Sequence, residues 1–535
     1  MTLWFAEDEL NQDERTLLAP YVTNLDAPVF ALVNLPEVTK GALFARYSRS
    51  PKSLRRLFID EFAEHAEAGA ETAEVGTGRA EELYERVFIE YGDDSVAQLG
   101  GVHLACEQSS QILAKVLEWG RLMAYLEQST RYVPYNDKPG GRWRYAVPGE
   151  IAEAGLAERY EATIDRAFET YDRWLEPTQE LFRALYPQSP RDSDFVHRMT
   201  IRAKACDTLR GLLPAATRTN VGIYGTGQAY EQLLLRMRAN PLSEVRAYAD
   251  LMLIELRKVI PAFLKRVDVP DRGGAWSDYL ARTQMETGGL ASELFAETPP
   301  DHRPEVILTD FDSDGEIKVV AAALYSVTSQ PDDVLLETAR RMTVDERARV
   351  LEAYVGDRTN RRHKPGRAFE RTGYRFDVLC DYGAFRDLQR HRLLTIEWQH
   401  LSPGHGFELP DEIEAVGAAD DWARTMEESD ALYWELRERG LPEAAQYGVA
   451  MAYRIRFVMQ MNAREAMHLI ELRTTPQGHP VYRRVAQEMH RLIAEEAEHR
   501  AISEAMRFAD HSGVELERLE AERRSEEKRR RLERT

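Results

Sequence analysis

The same series of motifs occurs twice in the sequence, in the same order, and this repetition constrains the fold more than any single motif does. In the first half, a short strand-like run over 102–106 leads into an amphipathic helical pattern over about 110–119. In the second half, an alternating strand over 374–380 leads into a helical pattern over about 383–392. Matching features lie roughly 240 to 280 residues apart, which is far longer than the period of a solenoid repeat. The chain is therefore predicted to contain two tandem α/β (α+β) domains, each a mixed sheet with long helices.

A proline-rich stretch over 298–304 marks the predicted join, because paired prolines break helices and are typical of linkers. We expect a first domain over 1–297 and a second domain over 305–510. The remaining segment, 511–535, is dominated by charged residues and is expected to form a solvated helix or tail without a chemical role.

The composition excludes several classes of protein. The chain has 535 residues and a formal net charge of −20, so broad binding to a nucleic-acid backbone, which requires a basic face, is not expected. Three scattered cysteines argue against a disulfide framework or a zinc site and favour a reducing compartment. No run approaches the about 18 apolar residues of a membrane span, and the N-terminus lacks a signal-peptide pattern. A soluble cytoplasmic protein without membrane or nucleic-acid partners is predicted.

A local basic segment stands out from this acidic background. Between Arg358 and Arg375, seven basic residues accompany a single acid, Glu370. Such a run is either a solvated face that balances the acidic surface or an anion-binding segment. Its closeness to an Arg-His-Arg cluster at 390–392, which we place within the predicted helix, favours the second interpretation.

The two halves hold complementary parts of one longer pattern. The second half contains Phe385–Arg392 (FRDLQRHR), and the first half contains Tyr125–Tyr132 (YLEQSTRY). Together they resemble the signature of the flavin-dependent thymidylate synthases, in which Arg-His-Arg is followed by seven residues and a serine. Two further segments, Thr208–Pro214 and Met461–Arg473, are similar to segments of that family.

The resemblance implies an activity and its cofactors. It implies conversion of dUMP to dTMP with bound FAD, with methylenetetrahydrofolate as the carbon donor and NADPH as the reductant. It assigns the flavin contacts to Arg390, His391, Arg392, Glu370, Asn462 and Ser326. It assigns the substrate contacts to Glu127, Gln128, Ser129, Thr130, Arg131, Arg210 and Arg473, with Arg210 and Arg473 as the catalytic arginines. Forked guanidinium groups suit both a pyrophosphate and a nucleotide.

The halves depart from the family pattern in complementary ways. In the first half, Trp119 and Gly120 replace Arg-His, and Gln98 and Asp93 replace a glutamate and a histidine of the family, so flavin-binding groups are lost. In the second half, His400 replaces the serine of the nucleotide loop. The family is expected to form homotetramers with sites at subunit junctions. We therefore expect a homodimer that forms a pseudo-tetramer, with sites shared between the two halves.

Two alternatives stay open at this point. The chain could be a catalytically inactive relative that binds nucleotide or flavin or serves as a scaffold, although complementary losses favour retained function. Glu465 and His468, like Glu496 and His499, have the Glu-x-x-His spacing of di-iron helix sites. Acidic residues near such a pair arise by chance in an acid-rich chain, so no metal is predicted.

Overall fold

The computed structural model describes residues 5, 9–35, 43–44, 47, 50–61, 101–295, 303–513, 516 and 518–532. Gln98 and Asp93, to which we assigned the loss of flavin contacts, lie outside these residues. The described strands are β1 (Val29–Leu32), β2 (Gly101–Ser110), β3 (Met123–Glu127), β4 (Arg218–Thr226), β5 (Val306–Phe311), β6 (Gly373–Asp381), β7 (Thr395–Trp398) and β8 (Arg454–Asn462).

The described α-helices are α1 (Gln12–Leu18), α2 (Leu54–Glu61), α3 (Gln111–Leu117), α4 (Gly149–Glu153), α5 (Ala157–Leu185), α6 (Asp194–Leu209), α7 (Gly227–Arg238), α8 (Ser243–Arg257), α9 (Ala275–Leu294), α10 (Gly315–Tyr325), α11 (Asp332–Arg341), α12 (Val344–Val355), α13 (Tyr382–Gln389), α14 (Asp411–Val416), α15 (Ala419–Glu438), α16 (Pro442–Ala445), α17 (Ala463–Arg473), α18 (Pro480–Glu495), α19 (Arg500–Ala505) and α20 (Leu519–Leu532). Within this part of the chain, no helix combines the length and the apolar character needed to span a membrane.

The strands form two four-stranded sheets with matching topology, in the orders β1-β2-β4-β3 and β5-β6-β8-β7. The predicted α/β class with two similar sheets is confirmed. The expected mixture of parallel and antiparallel pairs is wrong in detail, because every described strand pair is antiparallel. The reason is topological: β4 lies between β2 and β3, and β8 lies between β6 and β7, so strands that run in the same direction are never neighbours.

Each central strand turns directly into a helix, and a capping side chain fixes the turn. Ser110, the last residue of β2, accepts a hydrogen bond from the backbone N–H of Leu113 at the start of α3. Asp381, the last residue of β6, accepts one from Ala384 at the start of α13. Such caps satisfy N–H groups that have no partner within the helix. The helices that follow β2 and β6 are thus capped in the same way at matching positions of the two halves.

Two of the predicted helices differ from the observed ones: one ends earlier and the other is interrupted. The 390–392 cluster follows α13 instead of lying within it, because the chain leaves the helix there and buries the side chain of His391. The predicted helical region 334–354 is divided into α11 and α12. Thr343 and Glu346 form a capping box that starts the second helix.

The described chain divides into two compact units, and each contains segments from both halves of the sequence. Unit 1 comprises Met1–Glu176, Leu212–Pro300 and Ile413–Ala450, and unit 2 comprises Pro177–Gly211, Asp301–Glu412 and Met451–Thr535. The first sheet belongs to unit 1 and the second sheet to unit 2. The sequential boundaries 1–297 and 305–510 stay a prediction.

Within unit 2, the C-terminal helix α20 packs against α6. Nε of Arg523 lies 2.5 Å from Oδ1 of Asp192, and NH2 of Arg523 lies 2.9 Å from Oδ2. The side chain of Asp192 is only 2% exposed. Because a bidentate pair with a buried carboxylate is stronger than an ordinary surface pair, it fixes this helix to the protein.

Candidate functional site

A cluster of charged side chains in unit 2 lies where the ends of α13 and α17 meet the turn that follows α6. Arg390 and His391 follow α13, and Arg473 is the last residue of α17. Arg210 opens a 3-10 turn directly after α6. Asp387 lies on α13, three residues before Arg390. We call these five residues the arginine cluster.

Asp387 is the shared carboxylate of the arginine cluster. NH2 of Arg390 contacts Oδ1 of Asp387, and NH1 of Arg473 lies 3.9 Å from the same atom. NH1 of Arg210 lies 3.6 Å from Oδ2 of Asp387 and 3.5 Å from Oδ1 of Asp207. Three guanidinium groups therefore face two carboxylates in a largely buried site. The arrangement leaves an excess of positive charge, which favours an anionic ligand.

Arg210 has donors that the described protein does not use. Its side chain is 3% exposed, and its Nε and NH2 atoms are buried without a hydrogen-bond partner among the described residues. Gly383 provides the space, because a Cβ there would lie 3.0 Å from Nε of Arg210. Burial raises the pKa of the nearby Asp381 to about 7, although the charge of Arg210 opposes this shift. Buried donors without partners are costly, and a bound ligand would satisfy them.

The contacts of His391 determine its tautomer. Nε of Arg473 donates to Nε2 of His391 at 2.9 Å, and Nδ1 of His391 lies 3.1 Å from Oε1 of Glu465. Because an arginine Nε can only donate, Nε2 is the acceptor and Nδ1 carries the proton. Burial, followed by the charge of Arg473, lowers the pKa of His391 well below its ordinary value. A neutral imidazole therefore connects Arg473 to Glu465.

His391, Glu465 and His468 form a group whose ligand-type atoms lie within 4.8 Å of one another. The residue types would suit a divalent metal ion. However, the tautomer of His391 engages Nε2 as an acceptor and places a proton on Nδ1. Burial, followed by the charges of Lys364 and Arg361, lowers the pKa of His468 to about 4. These positive neighbours favour an anion, and the absence of a metal stays a prediction.

Glu465→Gln is expected to change how stability depends on pH. Burial raises the pKa of Glu465 from 4.5 to about 7. A raised pKa means that its contribution to stability is present below pH 4.5 and is lost as the pH rises through 7. The glutamine variant does not ionise. The difference between its free energy of unfolding and that of the wild type should therefore increase by up to about 3 kcal/mol, in favour of the variant, between pH 5 and pH 8. Chemical denaturation across this range measures the difference.

Glu370→Gln is the matched control for this experiment. The hydrogen bond from Arg367 holds the pKa of Glu370 below its ordinary value. Its contribution is therefore present above pH 4.5 and is lost as the pH falls. Between pH 5 and pH 8, the difference in the free energy of unfolding between Glu370→Gln and the wild type should stay constant, whereas that between Glu465→Gln and the wild type should grow. A Glu465→Gln curve parallel to the wild-type curve would contradict the assigned environment of Glu465.

The other predicted flavin residues also belong to unit 2. Asn462 caps α17 by accepting from the backbone N–H of Glu465. Glu370 accepts from Arg367 at 2.9 and 3.0 Å and lies 3.4 Å from NH1 of Arg464. Arg392 is exposed and Ser326 is an exposed residue after α10. Their contact with a flavin stays a prediction.

The predicted nucleotide loop belongs to unit 1. Glu127 ends β3, and its Oε2 lies 3.3 Å from Nζ of Lys115, which also contacts Glu118 at 2.5 Å. Nε2 of Gln128 donates to the carbonyl oxygen of Ser50 at 2.5 Å. Thr130 and Arg131 are buried, and Ser129 accepts from the backbone N–H of Arg131. Of the predicted substrate residues, Arg210 and Arg473 are those that meet in the arginine cluster.

The basic segment 358–375 has mixed roles. Arg358 is buried and makes a bidentate ion pair with Glu471. Arg371 pairs with Asp332, and Arg367 with Glu370, in keeping with a charge-balancing surface. Lys364 instead lowers the pKa values of both His468 and Glu465, and Arg361 lowers that of His468. Only part of this segment therefore contributes to the positive site.

Sequence reasoning missed the acidic members of the site. Asp387 lies inside the Phe385–Arg392 motif, and its position one turn before Arg390 was an available signal. Glu465 was considered only as a metal ligand. Asp207, three residues before Arg210, also carried a helical-spacing signal. Lys364 was recognised only as part of the basic run.

Comparison with known proteins gives the following similarities. The model of the family described as thymidylate synthase complementing protein matches residues 42–262 and 307–498. A "UPF0159 protein" of Chlamydia muridarum is 38% identical over 526 residues, which cover 97% of this chain and 99% of that protein. The flavin-dependent thymidylate synthase of Mycobacterium sp. (strain JLS) is 31% identical over 182 residues, which cover 34% of this chain and 67% of that protein. The crystal structure of the UMP/dUMP methylase PolB from Streptomyces cacaoi, bound with 5-Br dUMP, covers 38% of this chain and 96% of that chain at 21% identity, with a TM-score of 0.32.

Proposed function

We propose that this chain, which belongs to the thymidylate synthase complementing protein family, is a flavin-dependent thymidylate synthase that converts dUMP to dTMP. The proposed cofactor is FAD, and the proposed co-substrates are methylenetetrahydrofolate and NADPH. The relatives named as flavin-dependent thymidylate synthases support this assignment.

The observation that carries the proposal is the position of Arg210. This residue comes from the first half of the sequence, yet it lies with Arg390, His391 and Arg473 of the second half in unit 2. Its unused Nε and NH2 donors form a planar fork, which suits two oxygen atoms of an anionic nucleotide. The halves that diverged in complementary ways thus contribute jointly to one positive site.

The residues around His391 fit a flavin by their chemistry. Positive charge that suits the pyrophosphate of FAD comes from Arg361, Lys364 and the exposed Arg392. The neutral His391 suits the edge of the flavin ring, which carries both hydrogen-bond donors and acceptors. A bound flavin would supply the hydride that completes the transferred carbon group as a methyl. Asn462 and Glu370 would contribute to holding it.

Arg473 and His391 would orient and polarise the pyrimidine. The hydrogen bond from Nε of Arg473 to Nε2 of His391 fixes the plane of the guanidinium group. NH2 of Arg473 also donates to the carbonyl oxygen of Asp387. A fixed donor directed at a carbonyl stabilises negative charge that develops as C5 becomes nucleophilic, because such a group needs no reorganisation during the reaction.

A nucleotide-binding protein without turnover is the second candidate. Glu127 of the predicted nucleotide loop is already engaged by Lys115 in a buried ion pair, so its carboxylate is not free to contact a substrate. This candidate retains ligand binding at the arginine cluster but predicts no dTMP formation by the flavin-loaded wild type.

Arg210→Ala tests the proposal directly. We expect dUMP to bind about 10- to 100-fold more weakly, because a charge-assisted pair of hydrogen bonds is lost, while FAD stays bound. Calorimetric titration of dUMP into flavin-loaded protein measures the affinity, and absorbance measures the flavin. Arg198→Ala is the matched control, since Arg198 lies on α6 with its side chain exposed. Unchanged dUMP affinity in Arg210→Ala would contradict the assignment.

A further inference from the structure

The carboxylate of Glu465 contacts a single polar group. Glu465 lies in the first turn of α17, where Asn462 accepts a hydrogen bond from its backbone N–H. A glutamate at this position often reaches back to the N-cap backbone and completes a capping box. Here the side chain instead turns to His391, with Oε1 3.1 Å from Nδ1. Among the described residues, no other donor or cation lies within hydrogen-bond or ion-pair distance of this carboxylate.

The position of Glu465 is unfavourable for an acid. Its side chain is 5% exposed, and burial raises its pKa. The charges of Lys364, Arg464 and Arg392 oppose this shift without cancelling it. A glutamine would retain a hydrogen-bond acceptor here and would avoid the cost of a buried charge. An acid held in such a place, next to a candidate site, is a candidate for a functional role.

We propose that Glu465 is a positioning residue that acts on Arg473 through His391. The proposal rests on the thymidylate synthase function proposed above. Because Glu465 accepts from Nδ1–H of His391, Nε2 of that ring stays an acceptor for Nε of Arg473, which lies 2.9 Å away. We call these three residues the Glu465 relay. The relay selects one tautomer of the imidazole, and that tautomer fixes the direction of the guanidinium group.

The loss of the carboxylate would make the other tautomer of His391 accessible. In that tautomer Nε2 carries the proton, so the N–H groups of His391 and Arg473 would face each other. Asp387 and Tyr482 also contact Arg473, but they do so at NH1, at NH2 and at the face of the guanidinium group. Neither replaces the acceptor at Nε. A donor that turns away from the pyrimidine no longer stabilises the charge that develops there.

Glu465→Met and Glu465→Gln separate the hydrogen-bond acceptor from the space that the side chain fills. Both replacements are close to glutamate in size, but only glutamine can accept from Nδ1–H. In flavin-loaded protein at saturating substrates, kcat for dTMP formation should fall by about 10- to 100-fold in Glu465→Met, because Arg473 is misdirected but still present. Glu465→Gln should stay near the wild-type rate. FAD should remain bound in both variants, because neither change removes a positive charge.

Heteronuclear NMR of protein labelled in the histidine rings measures the tautomer without turnover. The signals of His391 are identified by their loss in His391→Asn. They should show a protonated Nδ1 and an unprotonated Nε2 in the wild type and in Glu465→Gln, whereas both tautomers should be populated in Glu465→Met. If the tautomers behave in this way but the flavin-loaded wild type forms no dTMP, the Glu465 relay is confirmed and the proposed function is wrong.

Glu316→Met is the matched control. Glu316 is a second carboxylate of unit 2 with a pKa raised by burial, and it accepts from the backbone N–H groups of Ala501 and Ile502, outside the arginine cluster. Its replacement should lower stability but leave kcat and the tautomer of His391 unchanged. The proposal is overturned if Glu465→Met retains the wild-type kcat or a single tautomer. It is also overturned if Glu465→Gln or Glu316→Met is as slow as Glu465→Met.

Discussion

Arg473→Ala is expected to lower the rate of dTMP formation by about 100- to 1,000-fold, the usual effect of removing one fixed donor from a developing negative charge. The side chain is 14% exposed and is held by His391 and by the carbonyl oxygen of Asp387, so its direction is set before a substrate binds. Turnover measured at saturating dUMP and methylenetetrahydrofolate, on protein with a full flavin spectrum, separates this loss from a loss of cofactor.

Arg473→Lys tests whether the positive charge alone, without the geometry of the guanidinium group, supports turnover. Lysine retains the charge but lacks the Nε–H that bonds to Nε2 of His391 and the planar fork. We therefore expect the lysine variant to recover little of the rate. Near wild-type turnover in the alanine variant would remove Arg473 from the mechanism, whereas full recovery by lysine would mean that charge alone matters.

The sequence predicted the local parts of the site better than their contacts. Arg390, His391 and Arg473 were recognisable from short motifs, and the structure brings them together. The contact between Arg210 and Asp387 was not predictable from a motif, because 177 residues separate them and a helical segment of the first half packs within unit 2. Such a contact depends on how long helices pack, which local patterns do not specify.

The two sheets show the same difference between local features, which the sequence predicted, and long-range contacts, which it did not. Strand patterns predicted the central strands β2 and β6 within a few residues, because alternation of apolar side chains is a local signal. The all-antiparallel pairing was not recognised, because the order of strands depends on crossovers. The end of α13 was misplaced because burial of His391 overrides a helical pattern that would continue.

The basic segment shows why charge patterns alone are ambiguous. Arg358 opens a run that resembles a solvated face, yet its side chain is 1% exposed and makes two short hydrogen bonds, of 2.6 and 2.7 Å, to Glu471. NH1 of Arg358 also donates to the carbonyl oxygen of Ala505 at 2.8 Å. Only the partner, which lies more than 100 residues away, distinguishes a structural arginine from a ligand-binding one.

Arg358→Ala is expected to destabilise the protein by about 3–5 kcal/mol, because it leaves the carboxylate of Glu471 buried without its partner. Glu471 lies on α17 two residues before Arg473, so the loss should also loosen the helix that carries this proposed catalytic residue. Denaturant unfolding, followed by circular dichroism, measures the change in the free energy of unfolding. Arg491→Ala is the matched control: Arg491 pairs with Glu488, but both side chains are well exposed, and its loss should cost less than about 1 kcal/mol.

Replacing both partners separates pairing from packing. In Arg358→Met/Glu471→Leu no charge remains buried, and apolar side chains of comparable length fill the space. The double variant should therefore be more stable than Arg358→Ala and close to the wild type, since apolar replacements of a buried ion pair are often neutral or stabilising. If the double variant is as unstable as the single one, the effect of Arg358 arises from its contact with Ala505 and from packing, and the buried carboxylate of Glu471 is not its cause.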